Sequence, residues 1–547
     1  MDSGNFEIAT DSTSEAKTWF YPALFAFGIL ISIAESMYML VLGNTLENAV
    51  WPIAIRTLEW TLYLRDNLGF VTMLSGIVLA YSLFFVIKKE RSKPTSKLIS
   101  YLSVFLIGFI LGNYVVFMIM DARYLRGAFL ILPTVYGILL LSSCLIARGT
   151  PKLPQKENKR LENFYCVSHL ICVFFAAWLI MPGLPAMMGF APAPPPKPNF
   201  GYGSEPGPFE EVLFIYQYDL PENVTTIQGG TEDDIDFSVY LSIPDIPPIE
   251  NIPGIPLAII FHAFNNPDRS SYTDWIDHLV SRGSAVAFIQ YPTDVRPDGG
   301  DDFDATTSNG TSDWPHHVPR LYSIQSALNK LAYVIDDTTR EEAIDELLGN
   351  LSIMPEHLYI GGHSLGGAYS LNALEMARQM GWGNESLVVN TEMAASRPIQ
   401  DLWSPDFSNL TENRIVHLVV AQDDMTVGLC DSVHHHSLFS TGENNNTIVI
   451  YVPSDKYGYP RLVATHYIPA NEVHDTLADW AFYKRVDAQI DWLVSRTWSD
   501  YNTEEFAYIH LTDNDLLTDM GEWSDGVKVL PMKTYSEPLE AKLFDHC

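Results

Sequence analysis

Basic residues are scarce in this 547-residue chain, in which 33 Lys and Arg face 66 Asp and Glu, for a formal net charge of −33. The deficit is uneven. Residues 1–190 hold 15 Lys and Arg against 12 Asp and Glu, whereas the rest of the chain holds 18 against 54. Nucleic acid and anionic membrane surfaces attract positively charged protein surfaces. We therefore expect no nucleic-acid partner and no anionic surface partner for the acidic part.

Cysteine is also scarce, with five residues in the chain. The consecutive histidines 434–436 do not have the spacing of a metal site, because neighbouring side chains point in different directions. Cys430 and Cys547 both lie in the acidic part, where they can form a disulfide or remain as two free thiols. We expect no metal and no cofactor.

A cleaved signal peptide is not indicated, because the N-terminal tail 1–18 is polar and acidic and has no basic region. Residues 19–190 instead contain several apolar stretches, each long enough to cross about 30 Å of hydrocarbon as a helix. The sequence predicts a bundle of about five transmembrane helices at 19–43, 68–87, 98–120, 127–147 and 164–186. The stretch 47–64 is expected to be an interfacial helix.

The two loops 88–97 and 148–160 are basic, and the positive-inside rule places both in the cytoplasm and everything after the fifth span outside. Six N-x-S/T sequons agree with this orientation, since all lie beyond residue 190, at Asn223, Asn309, Asn350, Asn384, Asn409 and Asn445. The proline-rich segment 191–208 is expected to be a semi-rigid spacer. The sequence thus predicts an integral membrane protein whose domain 209–547 is extracellular or lumenal, at the plasma membrane or in the secretory pathway.

A serine stands between a short apolar run and a helical stretch, in the segment 358–380. Gly362 and Gly366 lie two residues before and two residues after Ser364. So tight a turn strains the serine backbone, and small flanking residues allow strand and helix to approach each other. The hydroxyl then projects near a helix N-terminus, which favours developing negative charge. We interpret Ser364 as a catalytic nucleophile, against the alternative of a chance G-x-S-x-G match.

The acidic part alternates between predicted strands and predicted helices. Strands are expected at 212–218, 236–243, 256–261, 285–290, 415–420 and 447–452, and helices at 272–282, 319–335, 365–380 and 477–496. This alternation is typical of an α/β domain with a mostly parallel sheet and flanking helices.

A nucleophilic serine needs a histidine base and an acid that orients it. Asp423 and Asp424 follow the strand 415–420 at its carboxyl end, and we favour Asp424. His466 follows the strand 447–452 and is the expected base, with His474 as its rival at the start of the terminal helix. The order serine, aspartate, histidine is the one that α/β-hydrolases use.

Four stretches carry a family resemblance: Phe-His-Ala-Phe at 261–264, Gly-His-Ser-Leu-Gly at 362–366, Val-Val-Ala-Gln-Asp-Asp at 419–424 and Ala-Thr-His-Tyr at 464–467. With them, residues 210–500 resemble the α/β-hydrolases of the esterase/lipase type, in the branch of dienelactone hydrolases, cutinase-like polyester hydrolases and platelet-activating-factor acetylhydrolases. The resemblance implies that Ser364 is the nucleophile, His466 the base and Asp424 the acid. It also implies an oxyanion hole made by the backbone N–H groups of Leu365 and Phe264. Ala263 stands where the family usually has glycine.

The sequence therefore predicts a membrane-embedded serine hydrolase that cleaves carboxylic esters, lipid esters included, through an acyl-enzyme. An acyltransferase with the same triad is one alternative, since an alcohol can replace water as the acceptor. A non-catalytic receptor or scaffold with the same fold is the other. The substrate, the protein partners and the role of the helical bundle are not indicated by the residues.

Overall fold

The chain divides into two compact units, Met1–Ala191 and Pro192–Cys547. The computed structural model describes the following residues: 20–41, 49–50, 53, 94–120, 137–143, 167–176, 191–199, 201–221, 225–226, 237–247, 252–264, 266–293, 295–296, 317–396, 405, 407, 410–424, 426–439, 446–458, 461–471 and 474–547.

The first unit is helical at every described residue before Ala191. Helix α1 is Phe20–Val41 and helix α2 is Pro94–Met120. Within the ranges given above, only α1 is both long enough and apolar enough to be a candidate membrane span. The apolar part of α2, Tyr101–Val116, and the helical stretch Val167–Ala176 are shorter. Five spans are therefore not supported. A single apolar helix near the N-terminus has the properties of a membrane span and equally those of a signal sequence. The predicted span 68–87 lies outside the described residues, and so does the predicted interfacial stretch 47–64 except for residues 49, 50 and 53.

Helices α1 and α2 pack closely through small residues. A Cβ atom at Gly28 would lie 2.3 Å from the carbonyl oxygen of Phe105, and one at Gly108 would lie 2.2 Å from that of Phe25. Gly112 packs in the same way against the side chain of Ser32. Small residues at four-residue spacing allow helices to pack closely within lipid, where no hydrophobic effect drives them together.

The second unit is built on a nine-stranded sheet. Its strands are β1 Glu210–Gln217, β2 Ser238–Asp245, β3 Gly254–Phe261, β4 Ala285–Ile289, β5 Ser352–His363, β6 Ser386–Glu392, β7 Arg414–Ala421, β8 Thr447–Val452 and β9 Lys533–Tyr535. Their order across the sheet is β1-β2-β4-β3-β5-β6-β7-β8-β9. Strands β3 to β8 pair in parallel, whereas β1, β2 and β9 make antiparallel pairs at the two edges. A separate short ribbon pairs Thr225–Thr226 with Val295–Arg296.

The central strands are buried on both faces, which explains their composition. All residues of β3, β7 and β8 are buried, and their sequences are rich in Ile, Val and Leu. Such continuous β-branched runs suit parallel strands that helices cover on both sides. The edge strand β1 instead alternates and is largely exposed.

Helices cover both faces of the sheet. On one face pack α4 His317–Ile335, α6 Leu365–Gln379 and α7 Cys430–His436, and on the other α3 Thr273–Val280, α8 Lys484–Trp498 and α9 Tyr501–Ile509. Two shorter helices of the second unit are α5 Glu342–Leu348 and α10 Asp515–Thr518. A helical turn, Thr476–Ala478, and a π-helix, Asp479–Tyr483, run directly into α8. The prediction of a mostly parallel sheet with flanking helices is confirmed.

The proline-rich segment, which the sequence predicted to be a semi-rigid spacer, is hydrogen-bonded to the folded part of the second unit. The carbonyl oxygens of Pro195 and Pro196 accept hydrogen bonds from Thr476 Oγ1 (2.7 Å) and Trp480 Nε1 (2.9 Å). Further along, the Gly203 N–H donates to Asp487 Oδ2 at 2.8 Å. Proline lacks an N–H donor but keeps its carbonyl acceptor. With a further hydrogen bond from the Ala193 N–H to Ser524 Oγ, the segment is fixed to the rest of the second unit at several points.

Two of the six sequon asparagines, Asn350 and Asn384, lie in the described part of the chain, and both are exposed. The other four, at Asn223, Asn309, Asn409 and Asn445, lie outside it. Cys430 at the start of α7 and Cys547 at the C-terminus form a disulfide with a Cα–Cα distance of 5.0 Å. The histidines 434–436 each place Nε2 near a backbone carbonyl, those of Cys547, Ser396 and Thr447.

Candidate active site

The order of the sheet strands indicates where a site should lie. The chain passes from β3 to β4 on one side and then crosses to β5 on the other side of β3, so the winding direction reverses between β3 and β5. In open α/β sheets, ligands bind outside the carboxyl ends of the strands at such a reversal. Strand β3 ends at Phe261 and β5 ends at His363, directly before Ser364.

Ser364 occupies the turn between β5 and α6. Its φ of 57° and ψ of −121° lie in a region that residues with a Cβ rarely adopt. Its N–H donates to the Glu392 carbonyl at the end of β6 (2.9 Å), and its own carbonyl accepts from the Ala395 N–H (2.9 Å). The strained backbone of Ser364 is therefore fixed by the neighbouring strand.

The two glycines beside Ser364 are required by close backbone contacts. A Cβ at Gly362 would lie 2.3 Å from the Gly366 carbonyl oxygen, and a Cβ at Gly366 would lie 2.4 Å from those of Phe261 and His262. Any side chain at either position would therefore separate β5, α6 and the loop after β3. This contact also brings the start of α6, with Leu365, next to the segment that leads to Phe264.

His466 and Asp424 are hydrogen-bonded to each other. The Nδ1 atom of His466 lies 2.8 Å from Asp424 Oδ2, and both side chains are buried. The other carboxylate oxygen, Oδ1, accepts the backbone N–H groups of Thr426 (2.8 Å) and Val427 (3.0 Å). Asp424 is thereby held in one orientation, and it fixes the His466 ring through Nδ1.

His466 also contacts the residue before the serine. The Nε2 atom of His363 donates to the His466 carbonyl oxygen at 2.7 Å, and the two rings lie 4.7 Å apart. The pKa of His363 is lowered well below its usual value, first by burial and further by the neighbouring His466. The His363 ring is therefore neutral, and it joins the turn that carries Ser364 to the loop that carries His466.

The rival residues have other environments. Asp423 places its Oδ2 atom in the interior, and no hydrogen-bond partner for that atom occurs among the residues that the structure describes. His474 lies between Asp274 (2.6 Å from Nδ1) and Asp479 (2.8 Å from Nε2). Burial alone would lower the pKa of His474, but the hydrogen bonds to these two carboxylates raise it to about 9. A protonated histidine with both ring nitrogens engaged cannot accept a proton.

The segment after β3 is supported by buried polar side chains, of which the sequence singled out only His262. His262 places Nδ1 2.7 Å from the Ala263 carbonyl, accepts the Tyr291 N–H at Nε2 (3.1 Å) and stacks on the Tyr291 ring at 4.0 Å. Burial lowers the pKa of His262 to about 4, so its ring is neutral. The guanidinium of Arg320 lies 5.4 Å from the Phe264 ring centroid and donates to Tyr369 on α6. Only the local sequence around His262 gave a signal for this region.

The sheet, the helices on both faces and the strained serine turn together fit the architecture of an α/β-hydrolase domain. No protein-family model matches the chain, and no curated protein matches it. Among solved structures, an esterase from Rhizomucor miehei is similar at 13% identity over 54% of this chain and 85% of that chain, with a TM-score of 0.30. A thermostable esterase from Pseudomonas putida is similar at 11% identity over 52% of this chain and 83% of that chain, with a TM-score of 0.31. Similarities this low carry no argument about activity, and the fold assignment rests on the sheet and the serine turn.

Proposed function

We propose that the protein is a membrane-anchored serine hydrolase that cleaves carboxylic esters. One arrangement carries the proposal: the strained Ser364 follows the carboxyl end of the central strand β5, where the winding direction reverses. His363 beside it is hydrogen-bonded to His466, and His466 is itself held by Asp424. Backbone strain at a single residue is common at active sites, and a histidine oriented by a carboxylate is the base that a nucleophilic serine needs.

The proposed reaction begins when Ser364 Oγ attacks the ester carbonyl and its proton passes to His466 Nε2. Asp424 stabilises the resulting imidazolium through Nδ1. The negative oxygen of the tetrahedral intermediate is held by the N–H groups of Leu365 and Phe264. Collapse of the intermediate expels the alcohol, which takes the proton from His466. Water then attacks the acyl-enzyme with His466 again acting as base and releases the acid.

Labelling with a fluorophosphonate probe tests this proposal directly. We expect the wild-type protein to react covalently at Ser364, and the Ser364→Ala variant to remain unlabelled. A panel of esters with and without added alcohols then measures whether water or an alcohol takes the acyl group. A folded wild-type protein that neither reacts with the probe nor cleaves any ester would favour a scaffold role.

Replacing Asp424 by asparagine is expected to lower kcat by about 10⁴-fold, because an amide at this position favours the wrong tautomer of the base. The neighbouring Asp423→Asn variant is the matched control, since it makes the same chemical change one residue away, and it is expected to keep most of the activity. Steady-state kinetics on one ester would decide between them. If Asp423→Asn were the more damaged variant, the acid would be Asp423.

We also propose that the second unit faces the exterior or an organelle lumen. Disulfides persist in oxidising compartments, so the bond between Cys430 and Cys547 supports this location. The basic loops 88–97 and 148–160 and the exposed sequon residues Asn350 and Asn384 also support it. The helix α1 supplies an anchor of sufficient length, with α2 packed against it.

Glycosylation is the measurement for this location. We expect Asn350→Gln and Asn384→Gln each to lower the apparent mass of the protein from secretory cells by one glycan. The variant Asn413→Gln changes an exposed asparagine that is not in a sequon, so it should leave the mass unchanged. A protein that glycosidase does not alter, and that protease added outside sealed right-side-out vesicles does not cut, would place the domain in the cytosol.

A further inference from the structure

Three backbone segments must hold fixed positions for the proposed chemistry: the loop after β3 with Phe264, the serine turn, and the loop with His466. A continuous chain of buried hydrogen bonds connects all three. The Ala263 N–H donates to the Tyr272 hydroxyl oxygen at 3.0 Å, and the Tyr272 hydroxyl lies 3.1 Å from His363 Nδ1. His363 Nε2 lies 2.7 Å from the His466 carbonyl oxygen.

The chemistry of the groups fixes the direction of every bond in this chain. The His466 carbonyl can only accept, so His363 Nε2 carries the hydrogen. The ring of His363 is neutral, so its Nδ1 has a free lone pair and accepts the Tyr272 hydroxyl hydrogen. The Tyr272 oxygen can then accept from Ala263. All three bonds point from the loop after β3 towards the loop of the base, an arrangement in which each bond strengthens the next.

We infer that Tyr272 and His363 are positioning residues that set the distance between the oxyanion-binding amide of Phe264 and the base His466. The inference rests on the proposed function. Ala263 directly precedes Phe264, and His466 supplies both the ring of the base and the carbonyl at the end of the chain. Neither Tyr272 nor His363 contacts the substrate in this assignment. They act through the segments that they hold.

The N–H of Ala263 directly precedes that of Phe264, which is assigned to the oxyanion hole, and it is the first donor in this chain of hydrogen bonds. Because Tyr272 accepts the Ala263 N–H, that donor is engaged within this chain of hydrogen bonds. Tyr272 ends a 3₁₀ turn, Arg269–Tyr272, and its ring packs near Phe288 and Trp275, with centroid distances of 5.8 and 6.4 Å. These contacts hold the ring in place independently of its hydroxyl.

The variant Tyr272→Phe tests the inference, since it removes one oxygen and retains the packed ring. We expect kcat to fall by about 10- to 100-fold, because a displacement of the order of 1 Å in a catalytic group costs about that much. KM should stay nearly unchanged, because the chain acts on groups that stabilise the transition state rather than on ground-state binding. The rate of fluorophosphonate labelling should fall in parallel with kcat.

The matched control is Tyr218→Phe. Tyr218 is likewise a buried tyrosine, and its hydroxyl donates to the Gln290 carbonyl at 2.6 Å, but it directly follows β1, which three strands separate from β5 in the sheet. Both variants should lose similar thermal stability, whereas only Tyr272→Phe should lose kcat. An unchanged kcat in Tyr272→Phe, or an equal loss of kcat in Tyr218→Phe, would overturn the inference.

A double-mutant cycle with His363→Leu adds a readout that a general loss of stability would not produce. Each single variant interrupts the same chain, so the double variant should have nearly the kcat of the His363→Leu single variant. Independent multiplicative losses would contradict a shared chain. Should His363→Leu fail to fold, the comparison of Tyr272→Phe with Tyr218→Phe decides alone. The Ser364→Ala result separates the two proposals: if Ser364 is essential and Tyr272→Phe is fully active, only the positioning role fails.

Discussion

The Ser364→Ala variant is expected to lose ester hydrolysis by about 10⁶-fold in kcat, because no other group in the proposed site can form the acyl-enzyme. The substitution should leave the fold intact. Alanine keeps the Cβ that already stands at φ 57°, and the serine side chain makes no capping hydrogen bond to α6. Hydrolysis of a chromogenic short-chain ester, with circular dichroism as a check on folding, measures the effect.

Ser370→Ala provides the matched control, because it removes a buried hydroxyl from the same helix. Its Oγ donates to the Gly367 carbonyl at 2.8 Å and has no role in the proposed reaction. We expect this variant to keep most of its activity. Near-normal turnover in a folded Ser364→Ala protein would rule out the serine mechanism, and equal loss in both variants would point to damage to α6 instead.

The position of the serine turn could be predicted because its signals are local. A strand, two close-packing glycines and a helix occur within a short segment, and the structure places β5, Ser364 and α6 in that order. The sequence also indicated the order of the acid and the base along the chain. The bond between Asp424 and His466 spans 42 residues, so the sequence could propose it and favour His466, but it left His474 as a rival. The two carboxylates around His474 supply that distinction.

Strand β6 was missed because its carboxyl end is polar. Asn390, Thr391 and Glu392 are all buried, which an apolar pattern does not indicate. Their burial depends on a distant partner, since Arg485 on α8 donates to both Asn390 and Glu392. Burial raises the pKa of Glu392, and the Arg485 charge opposes that shift. A buried charged pair of this kind becomes visible only when strand and helix are packed together.

The proline-rich segment shows a different limit of sequence patterns. Its composition correctly excludes a helix or a central strand, but composition does not show where its carbonyl groups are bound. In the structure they meet donors on the π-helix and on the turn before it. The chain Ala263–Tyr272–His363–His466 is likewise invisible in the sequence, because its links join segments far apart in the chain.

His466→Ala is expected to lower kcat by about 10⁶-fold, similar to the loss of the serine, because the two residues act as a unit. A base must be unprotonated to accept the serine hydrogen, so the proposed mechanism requires His466 with a free lone pair on Nε2. His474→Ala is the control. At neutral pH His474 is already protonated between Asp274 and Asp479, with a pKa of about 9, so its removal should leave most of the activity and the acid limb of the pH profile unchanged. Steady-state rates across a pH series, measured for both variants and the wild type, give the comparison. An inactive His474→Ala protein beside an active His466→Ala protein would transfer the role of base to His474 and remove the Asp424–His466 pair from the mechanism.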